Sequence, residues 1–311
     1  MAGKQPDAAY YVAGGPRFYA STLHLLKQLG IKSSAIHHDR LPNYMNKSVV
    51  TPYHDLTDWR RKRAQRDLPG PDRGGGTGAT GPIRVGIVGA GPIGQALAAR
   101  FAAAGHEVML SNTRRPDTLA AVIGSIPGRV SAGTVAEAAR FGQIVAVAIP
   151  VHAIRTLPPE AFAGKLVLDR TNYHPEPDGH VPVPDADQTT SSELLAQRLA
   201  DATVVKAFNT IYFRRLLEDS RPDLPAGQRL AIPVAGDDAA AKRTVIGLID
   251  QIGFTGIDAG TLAETRRQQP GSPLYLAYAE NRSRQETVTA SRLQQLLSPS
   301  PPRATADGGR P

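Results

Sequence analysis

From residue 83 onward, short apolar runs alternate with longer stretches whose apolar residues recur at helical spacing. Such alternation is typical of βαβ units and predicts a sheet with crossover helices. The predicted strands are, in chain order, IRVGIV, EVMLS, IVAVAI, KLVLD, ATVVKAF and RLAIPVAG. Continuous apolar runs such as IVAVAI are typical of parallel strands that are buried on both faces. The pattern therefore predicts an α/β fold with a doubly wound, mostly parallel sheet.

The helices between these strands are marked by their ends. An alanine-rich helix is predicted over Gly94–Ala104 and ends at Gly105. A capping box, formed by Thr134 and Glu137, opens the helix TVAEAARF. Two further helices are predicted at TSSELLAQRL and DDAAAKRTVIGLIDQIG.

Composition divides the chain into four parts. Residues 1–50 hold two strand-like runs, AAYYVAGG and KSSAIHHD, around an amphipathic stretch, and form a βαβ-like fragment too small for a core of its own. Residues 51–82 are first basic and then glycine-rich, as in a flexible linker. The α/β domain occupies 83–280. Residues 281–311 are predicted to form a helix and then a disordered tail rich in proline, serine and glycine.

Charge and composition narrow the function classes. Much of the formal charge of +8 lies in DWRRKRAQRD, inside the linker, so we expect no nucleic-acid partner. No apolar run approaches the ~20 residues that cross a bilayer, and the N-terminus lacks a signal-peptide pattern, so we expect no membrane segment. The absence of cysteine fits a reducing cytoplasm, which is the location we expect. Cysteine is absent and the eight histidines are scattered, so we expect no metal site.

A glycine-rich loop follows the first strand of the domain and opens its first helix. This context favours a Rossmann-type dinucleotide site over a tight turn without a nucleotide. Gly89 permits the turn, Gly91 lets a pyrophosphate approach the backbone, and Gly94 lets the helix pack closely on the strand. The loop residues predicted to bind the cofactor are Gly89, Ala90, Gly91, Pro92, Ile93 and Gly94.

The end of the second strand indicates which dinucleotide is bound. An NAD site would carry Asp or Glu here to accept from the ribose 2′-hydroxyl. This chain instead has Ser111, Asn112, Thr113, Arg114 and Arg115. A hydroxyl and two guanidinium groups are suited to a 2′-phosphate, and the alternative is two solvated arginines in a loop. The segment predicts NADP(H) as the cofactor.

From Ile83 to about Leu276 the chain resembles the NADPH-dependent F420 reductases, the F420-dependent NADP oxidoreductases. The resemblance rests on the ordered stretches GIVGAGPIGQALA, SNTRRPDTL, VAIPVHAI, LVLDRTNYH, TSSELLAQRL, VVKAFNTIY, IPVAGDDAAAK and DAGTLAETRRQQPGSPLY. It implies a Rossmann domain with a small C-terminal α/β extension. It also implies hydride transfer between NADP and a deazaflavin, coenzyme F420, or a flavin-like acceptor.

The resemblance also implies roles for residues that follow the later strands. The cofactor wall would comprise Ile149, Pro150, His152 and Asn172, and the second substrate would meet Lys206, Asn209 and Thr210. His152 is the sole candidate for a catalytic group, as a proton donor. The chain departs from the family pattern at Pro92, where Asn is common, at Arg115, where a small residue is usual, and at Tyr173, where Pro is common.

Two alternatives remain open. An NADP-dependent imine or hydroxyacid dehydrogenase would share the loop and the arginines, but would usually add a long helical C-terminal domain. A redox sensor would bind NADPH without turnover. Residues 1–50 resemble the last βαβ segment of ferredoxin–NADP reductase-type flavoproteins, without the parts needed to bind FAD. Related proteins often dimerise through their C-terminal part, so we also expect a homodimer.

Overall fold

The computed structural model of the chain describes residues 10–12, 36–38, 81–173, 189–280 and 287–298. One of two compact units comprises Met1–Asp67 with His174–Val181. In it, β1 (Tyr10–Val12) and β2 (Ile36–His38) pair in parallel, which confirms the two predicted strands. The amphipathic stretch between them, most of the predicted linker and nearly all of the predicted tail lie outside the described residues.

The other unit comprises Leu68–Tyr173 with Pro182–Pro311 and contains an eight-stranded sheet. Its order is β10-β9-β8-β7-β6-β3-β4-β5, and all neighbours are parallel except β8 and β9. This arrangement confirms the predicted Rossmann-type α/β fold. The strands are β3 (Arg84–Val88), β4 (Glu107–Ser111), β5 (Val130–Gly133), β6 (Ile144–Val147), β7 (Leu166–Asp169), β8 (Thr203–Lys206), β9 (Ala231–Gly236) and β10 (Thr255–Asp258).

Helices cover the sheet and are placed largely as the sequence predicts. The predicted capping box at Thr134 and Glu137 is confirmed, and Thr190 and Glu193 form a second one. The helices are α1 (Pro92–Ala103), α2 (Ala120–Ile123), α3 (Val135–Phe141), α4 (Ser191–Arg198), α5 (Phe213–Glu218), α6 (Ala239–Gln251), α7 (Pro273–Glu280) and α8 (Ala290–Leu297). The short helices α2, α5 and α7 were not predicted.

The central strands are apolar because both of their faces are covered. Val85 and Ile87 of β3, and Val145 and Val147 of β6, are fully buried. The chain passes from β3 outward through β4 and β5, and then returns to place β6 on the other side of β3. Beyond their adjacent carboxyl ends, the connections that leave β3 and β6 therefore run in opposite directions. Ligands of open α/β sheets bind in the crevice between such diverging connections.

The extension after β8 is joined to the sheet in a way that the sequence does not indicate. Strand β9 is antiparallel to β8, and only Val205 with Gly236 and Lys206 with Ala235 are in register. Since these residues end their strands, the earlier part of β9 lies beyond the carboxyl end of β8. Strand β10 pairs with that part, from Thr255 opposite Ala231. The extension therefore stands beside the edge of the sheet where a ligand would bind.

Candidate functional site

The glycine loop links the end of β3 to the start of α1. Gly89 has a φ of +113°, a backbone conformation that other residues rarely adopt, and its N–H donates to the carbonyl of Ser111 at 3.0 Å. A Cβ at Gly89 would overlap the carbonyl of Ala148, and one at Gly94 would overlap the carbonyl of Gly89. The protein's own backbone therefore requires glycine at both positions.

Gly91 differs from its two neighbours in the motif. Its backbone is extended, with φ −69° and ψ −179°, and no atom lies within 4 Å of the place that a Cβ would occupy. Nothing in the fold therefore demands glycine here, whereas a group bound against the backbone would. The open space lies at the N-terminus of α1, where Gly91 offers no side chain to cap the free N–H groups.

The other loop residues hold this helix end in place. Pro92 occupies the first turn of α1, where its missing N–H leaves no bond unmade, and Ile93 is buried below it. The Gln95 side-chain amide donates to the carbonyl of Ala90 at 2.9 Å. The loop is thus preformed by contacts within the chain, and its N–H groups are set before any ligand arrives.

Ser111 ends β4 as predicted, but its side chain does not face the candidate phosphate position. The side chain is fully buried, and its hydroxyl donates to the carbonyl of Ile87 at 3.1 Å. The hydroxyl is therefore directed toward the neighbouring strand β3, and no part of it is exposed at the edge of the sheet. The prediction that the Ser111 hydroxyl meets the phosphate is therefore wrong, and this side chain ties β4 to β3 instead.

The residues that follow Ser111 form a compact turn at the surface. Asn112 accepts from the N–H of Arg114 at 2.9 Å and donates to the hydroxyl of Thr118 at 3.1 Å. The Arg115 guanidinium pairs with Asp117 at 3.3 Å, with 85% of the arginine side chain exposed. Within the described residues, the exposed Arg114 side chain has neither an ion pair nor a hydrogen bond. The two arginines are therefore not equivalent, and Arg114 is the uncommitted cation.

Beyond β6, the backbone returns to the glycine loop. The N–H of Ala148 donates to the carbonyl of Val88 at 2.8 Å, so the carboxyl ends of β6 and β3 are tied together. Ile149 is buried and Pro150 is partly exposed, next to the loop. His152 is exposed, in the helical turn Val151–Thr156. This position is at the surface of the predicted cofactor wall.

Lys206 was predicted to contact the second substrate, and the structure places it elsewhere. The side chain is 1% exposed, and its Nζ donates to Asp169 Oδ2 at 3.0 Å, to the Thr171 carbonyl at 2.8 Å and to Ser191 Oγ at 3.3 Å. All three protons of the ammonium group are thus used within the protein. Burial lowers the pKa of Lys206, and the Asp169 carboxylate opposes that shift. Lys206 is an internal cation that joins β8 to β7.

Asp169 completes this internal network. Its carboxylate also accepts from the Thr171 N–H at 2.7 Å and from the Ser192 hydroxyl at 2.6 Å. Ser191 and Ser192 were not among the predicted site residues, although both lie at the start of a capped helix. The one signal in the sequence was the pair of charged residues that end two apolar runs, at Asp169 and Lys206.

Asn172 and Asn209, which follow β7 and β8, form a buried pair of side-chain amides. Asn172 Nδ2 donates to the Asn209 carbonyl at 2.7 Å, and Asn209 Nδ2 donates to Asn172 Oδ1 at 3.0 Å. Asn209 Nδ2 also donates to the carbonyl of Gln268 at 2.7 Å. The sequence predicted two of these three residues, together with the buried Thr210. It did not indicate Gln268, which lies 59 residues from Asn209 along the chain.

Neither a candidate metal-binding cluster nor a membrane-spanning helix occurs in the described part of the chain. It contains no group of three or more His, Cys, Asp or Glu residues that could hold a metal ion. It also contains no helix long and apolar enough to span a bilayer.

Comparison with known proteins identifies relatives of this domain. Residues 84–173 match the model of a family described as coenzyme F420-dependent NADP oxidoreductase. The crystal structure of a hypothetical protein from Sinorhizobium meliloti is 31% identical, with a TM-score of 0.53, over 62% of this chain and 92% of that chain. A protein of Arthrobacter sp. FB24, described as a candidate F420-dependent NADP reductase, is 26% identical, with a TM-score of 0.49, over 60% and 88% of the two chains.

A curated relative gives a shorter match. Metalloreductase STEAP3 of Rattus norvegicus is 31% identical over 186 residues, which are 59% of this chain and 35% of the rat protein. The chain spans little more than a third of the length of the curated relatives that it matches.

Proposed function

Because this chain belongs to the family of coenzyme F420-dependent NADP oxidoreductases, we propose that it transfers a hydride between NADP(H) and a deazaflavin or flavin-like acceptor. The observation that carries the proposal is the pairing of the open Gly91 position with the uncommitted Arg114 at two adjacent strand ends. The pyrophosphate would lie against Gly91 and the free N–H groups of α1. The 2′-phosphate would lie against Arg114.

The residues at the end of β4 suit NADP(H) rather than NAD(H). The turn after β4 offers Thr113, Arg114 and Arg115 at the surface, and its only carboxylate is Asp117, which is paired with Arg115. No acidic side chain therefore stands at the end of β4, where an NAD site would need one. From the loop, the nicotinamide would extend along Ile149 and Pro150 toward Asn172.

The chemistry needs little from acidic or basic side chains. When bound, reduced NADP supplies the hydride, and the protein holds the donor and acceptor rings together and excludes water. Ile149 and Pro150 provide an apolar wall for the donor ring. The internal network of Lys206 and Asp169 fixes the ends of β7 and β8, on which the more distant residues of the site depend. No proton has to be moved through His152 for hydride transfer itself.

The extension supports a deazaflavin-type reductase over the dehydrogenase alternative. An imine or hydroxyacid dehydrogenase would usually continue into a long, wholly helical domain, whereas this chain returns to β9 and β10. The name of the rat relative records a metalloreductase. For this chain, a metal ion is one acceptor to be tested. The homodimer and the cytoplasmic location remain predictions.

The proposal is tested by following NADPH oxidation at 340 nm with coenzyme F420, FMN, FAD and ferric citrate as separate acceptors. We expect turnover with F420, and slower or no turnover with the other three. Tight NADPH binding without oxidation of any acceptor would favour the sensor alternative. Fastest turnover with ferric citrate would instead assign a metalloreductase activity.

Replacement of Gly91 by alanine tests whether glycine is required at this position for ligand binding or for folding. The Cβ would enter open space in the free protein. We therefore expect the melting temperature to fall only slightly, because glycine is preferred over alanine at a helix N-cap. The Cβ would meet a bound pyrophosphate, and steric strain of about 1 kcal/mol would raise the Kd for NADPH roughly fivefold. Gly227→Ala is the matched control, because the Gly227 position is also open and lies in a remote turn. Equal NADPH affinity in both variants would contradict the placement of the pyrophosphate.

A further inference from the structure

Buried polar atoms without a partner are concentrated in one region of the described structure. Such atoms follow the ends of β7 and β8 and occur in the helical turn Ala263–Gln268. They are Thr171 Oγ1, Asn209 Oδ1, Thr210 Oγ1, Gln268 Oε1 and Gln268 Nε2. Buried polar groups in native proteins nearly always have hydrogen-bond partners, so a concentration of unpaired ones calls for an explanation.

The orientation of Asn209 is fixed by its neighbours. Both protons of its Nδ2 are used, by Asn172 Oδ1 and by the Gln268 carbonyl, so Oδ1 is left as an acceptor without a donor. The preceding residue, Phe208, has a φ of +63°, which is unusual and unfavourable for a bulky side chain. Such strain is found where function requires a particular local geometry. Here the strained residue sets the direction in which the chain carries Asn209 and Thr210.

Gln268 adds a donor and an acceptor to the same place. Its side chain is fully buried, and neither Oε1 nor Nε2 has a partner in the described structure. Its backbone carbonyl binds Asn209, so the two residues are adjacent even though they are far apart in sequence. An amide with both ends unpaired is complementary to a group that presents a carbonyl and an N–H side by side.

Strand order places this cluster relative to the nucleotide. The candidate phosphate contacts lie at the ends of β4 and β3, followed across the sheet by β6, β7 and β8. Asn209 and Thr210 follow β8, and Gln268 belongs to the extension beyond it. The cluster therefore lies on the side of the proposed nicotinamide position that is opposite to Arg114, and this is the side left for the second substrate.

We propose that Gln268, with Asn209 and Thr210, binds the imide edge of the hydride acceptor, the O=C–NH–C=O face of a pyrimidinedione ring. Gln268 Nε2 and the Thr210 hydroxyl donate to the two ring carbonyls. Gln268 Oε1 or Asn209 Oδ1 accepts from the imide N–H between them. This inference rests on the proposed hydride transfer, and it names the part of the acceptor that the protein recognises.

Binding measurements test this assignment independently of turnover. Riboflavin and 3-methylriboflavin, which lacks the imide N–H, are titrated into the protein–NADP⁺ complex, and flavin fluorescence is followed. We expect the wild-type protein to bind riboflavin about tenfold more tightly, and Gln268→Leu to lose that preference with an unchanged Kd for NADPH. Equal affinity of the wild-type protein for the two flavins, or no binding of either flavin or of F420, would overturn the proposal.

Two further variants give readouts that a purely structural role would not produce. Gln268→Glu retains an acceptor and loses the donor, so flavin binding should weaken at neutral pH and recover as the carboxyl group is protonated. Thr210→Val should weaken flavin binding without loss of the preference for an imide N–H, and it carries the test if Gln268→Leu does not fold. If the wild-type protein oxidises no NADPH but still distinguishes the two flavins, and Gln268→Leu does not distinguish them, the proposed reaction fails and this assignment stands. If the wild-type protein oxidises NADPH with F420 while Gln268→Leu leaves flavin discrimination intact, the proposed reaction stands and this assignment fails.

Discussion

Lys206→Met is expected to lower the free energy of unfolding by about 3–5 kcal/mol, the usual result of removing one partner of a buried ion pair. The variant leaves the Asp169 carboxylate in a fully buried position without its cation. It also removes the donor to the Thr171 carbonyl and to the Ser191 hydroxyl, across the ends of two strands. Urea denaturation followed by circular dichroism measures the change.

Two variants show that the loss comes from the uncompensated charge. Asp169→Asn combined with Lys206→Met removes both charges and retains an acceptor for the Thr171 N–H, so it should recover part of the stability. Arg129→Met breaks the exposed pair with Glu107, which are 61% and 40% exposed, and should cost less than about 1 kcal/mol. A Lys206→Met protein as stable as Arg129→Met would show that the internal network contributes little.

Arg114→Ala is expected to raise the Kd for NADPH roughly 10- to 150-fold and to leave the Kd for NADH nearly unchanged. The range corresponds to about 1.5–3 kcal/mol for hydrogen bonds to a charged group. Since the guanidinium is exposed, the effect should shrink as salt is added. Fluorescence titration with each nucleotide at two salt concentrations measures both quantities.

Arg115→Ala is the matched comparison, one residue away on the same turn. Its guanidinium already contacts Asp117, so a phosphate would have to compete with that carboxylate. We expect a smaller loss of NADPH affinity than for Arg114→Ala. Equal losses would mean that both arginines reach the phosphate, and a larger loss for Arg115 would reverse the assignment.

The parts of the fold that the sequence predicted are those with a strong local signal. Continuous apolar runs marked β3, β6, β7 and β8, because strands buried on both faces leave no room for polar residues. Strands β5 and β10 were missed because they stand at the edges of the sheet, where partial exposure permits sequences such as VSAG and TGID. The direction of β9 depends on long-range pairing, which no local pattern records.

The candidate site was predicted where one segment determines the geometry. The glycine loop is such a segment, and the roles expected of Gly89 and Gly94 agree with the backbone contacts that surround them. Ser111 and Lys206 were misplaced because residue type indicates what a side chain can bind, but not which way it faces. Gln268 was missed because its neighbours come from β8, far away in sequence.

The two-residue contact between β8 and β9 has a consequence for how such enzymes can diversify. The residues proposed for the nucleotide all precede β8, whereas Gln268 comes from the segment that begins with β9. A short junction between the two segments allows the second to be exchanged with few changes to the first. Grafting the segment after β8 from a relative onto this chain should then transfer preference for a new electron acceptor while dependence on NADP is inherited unchanged.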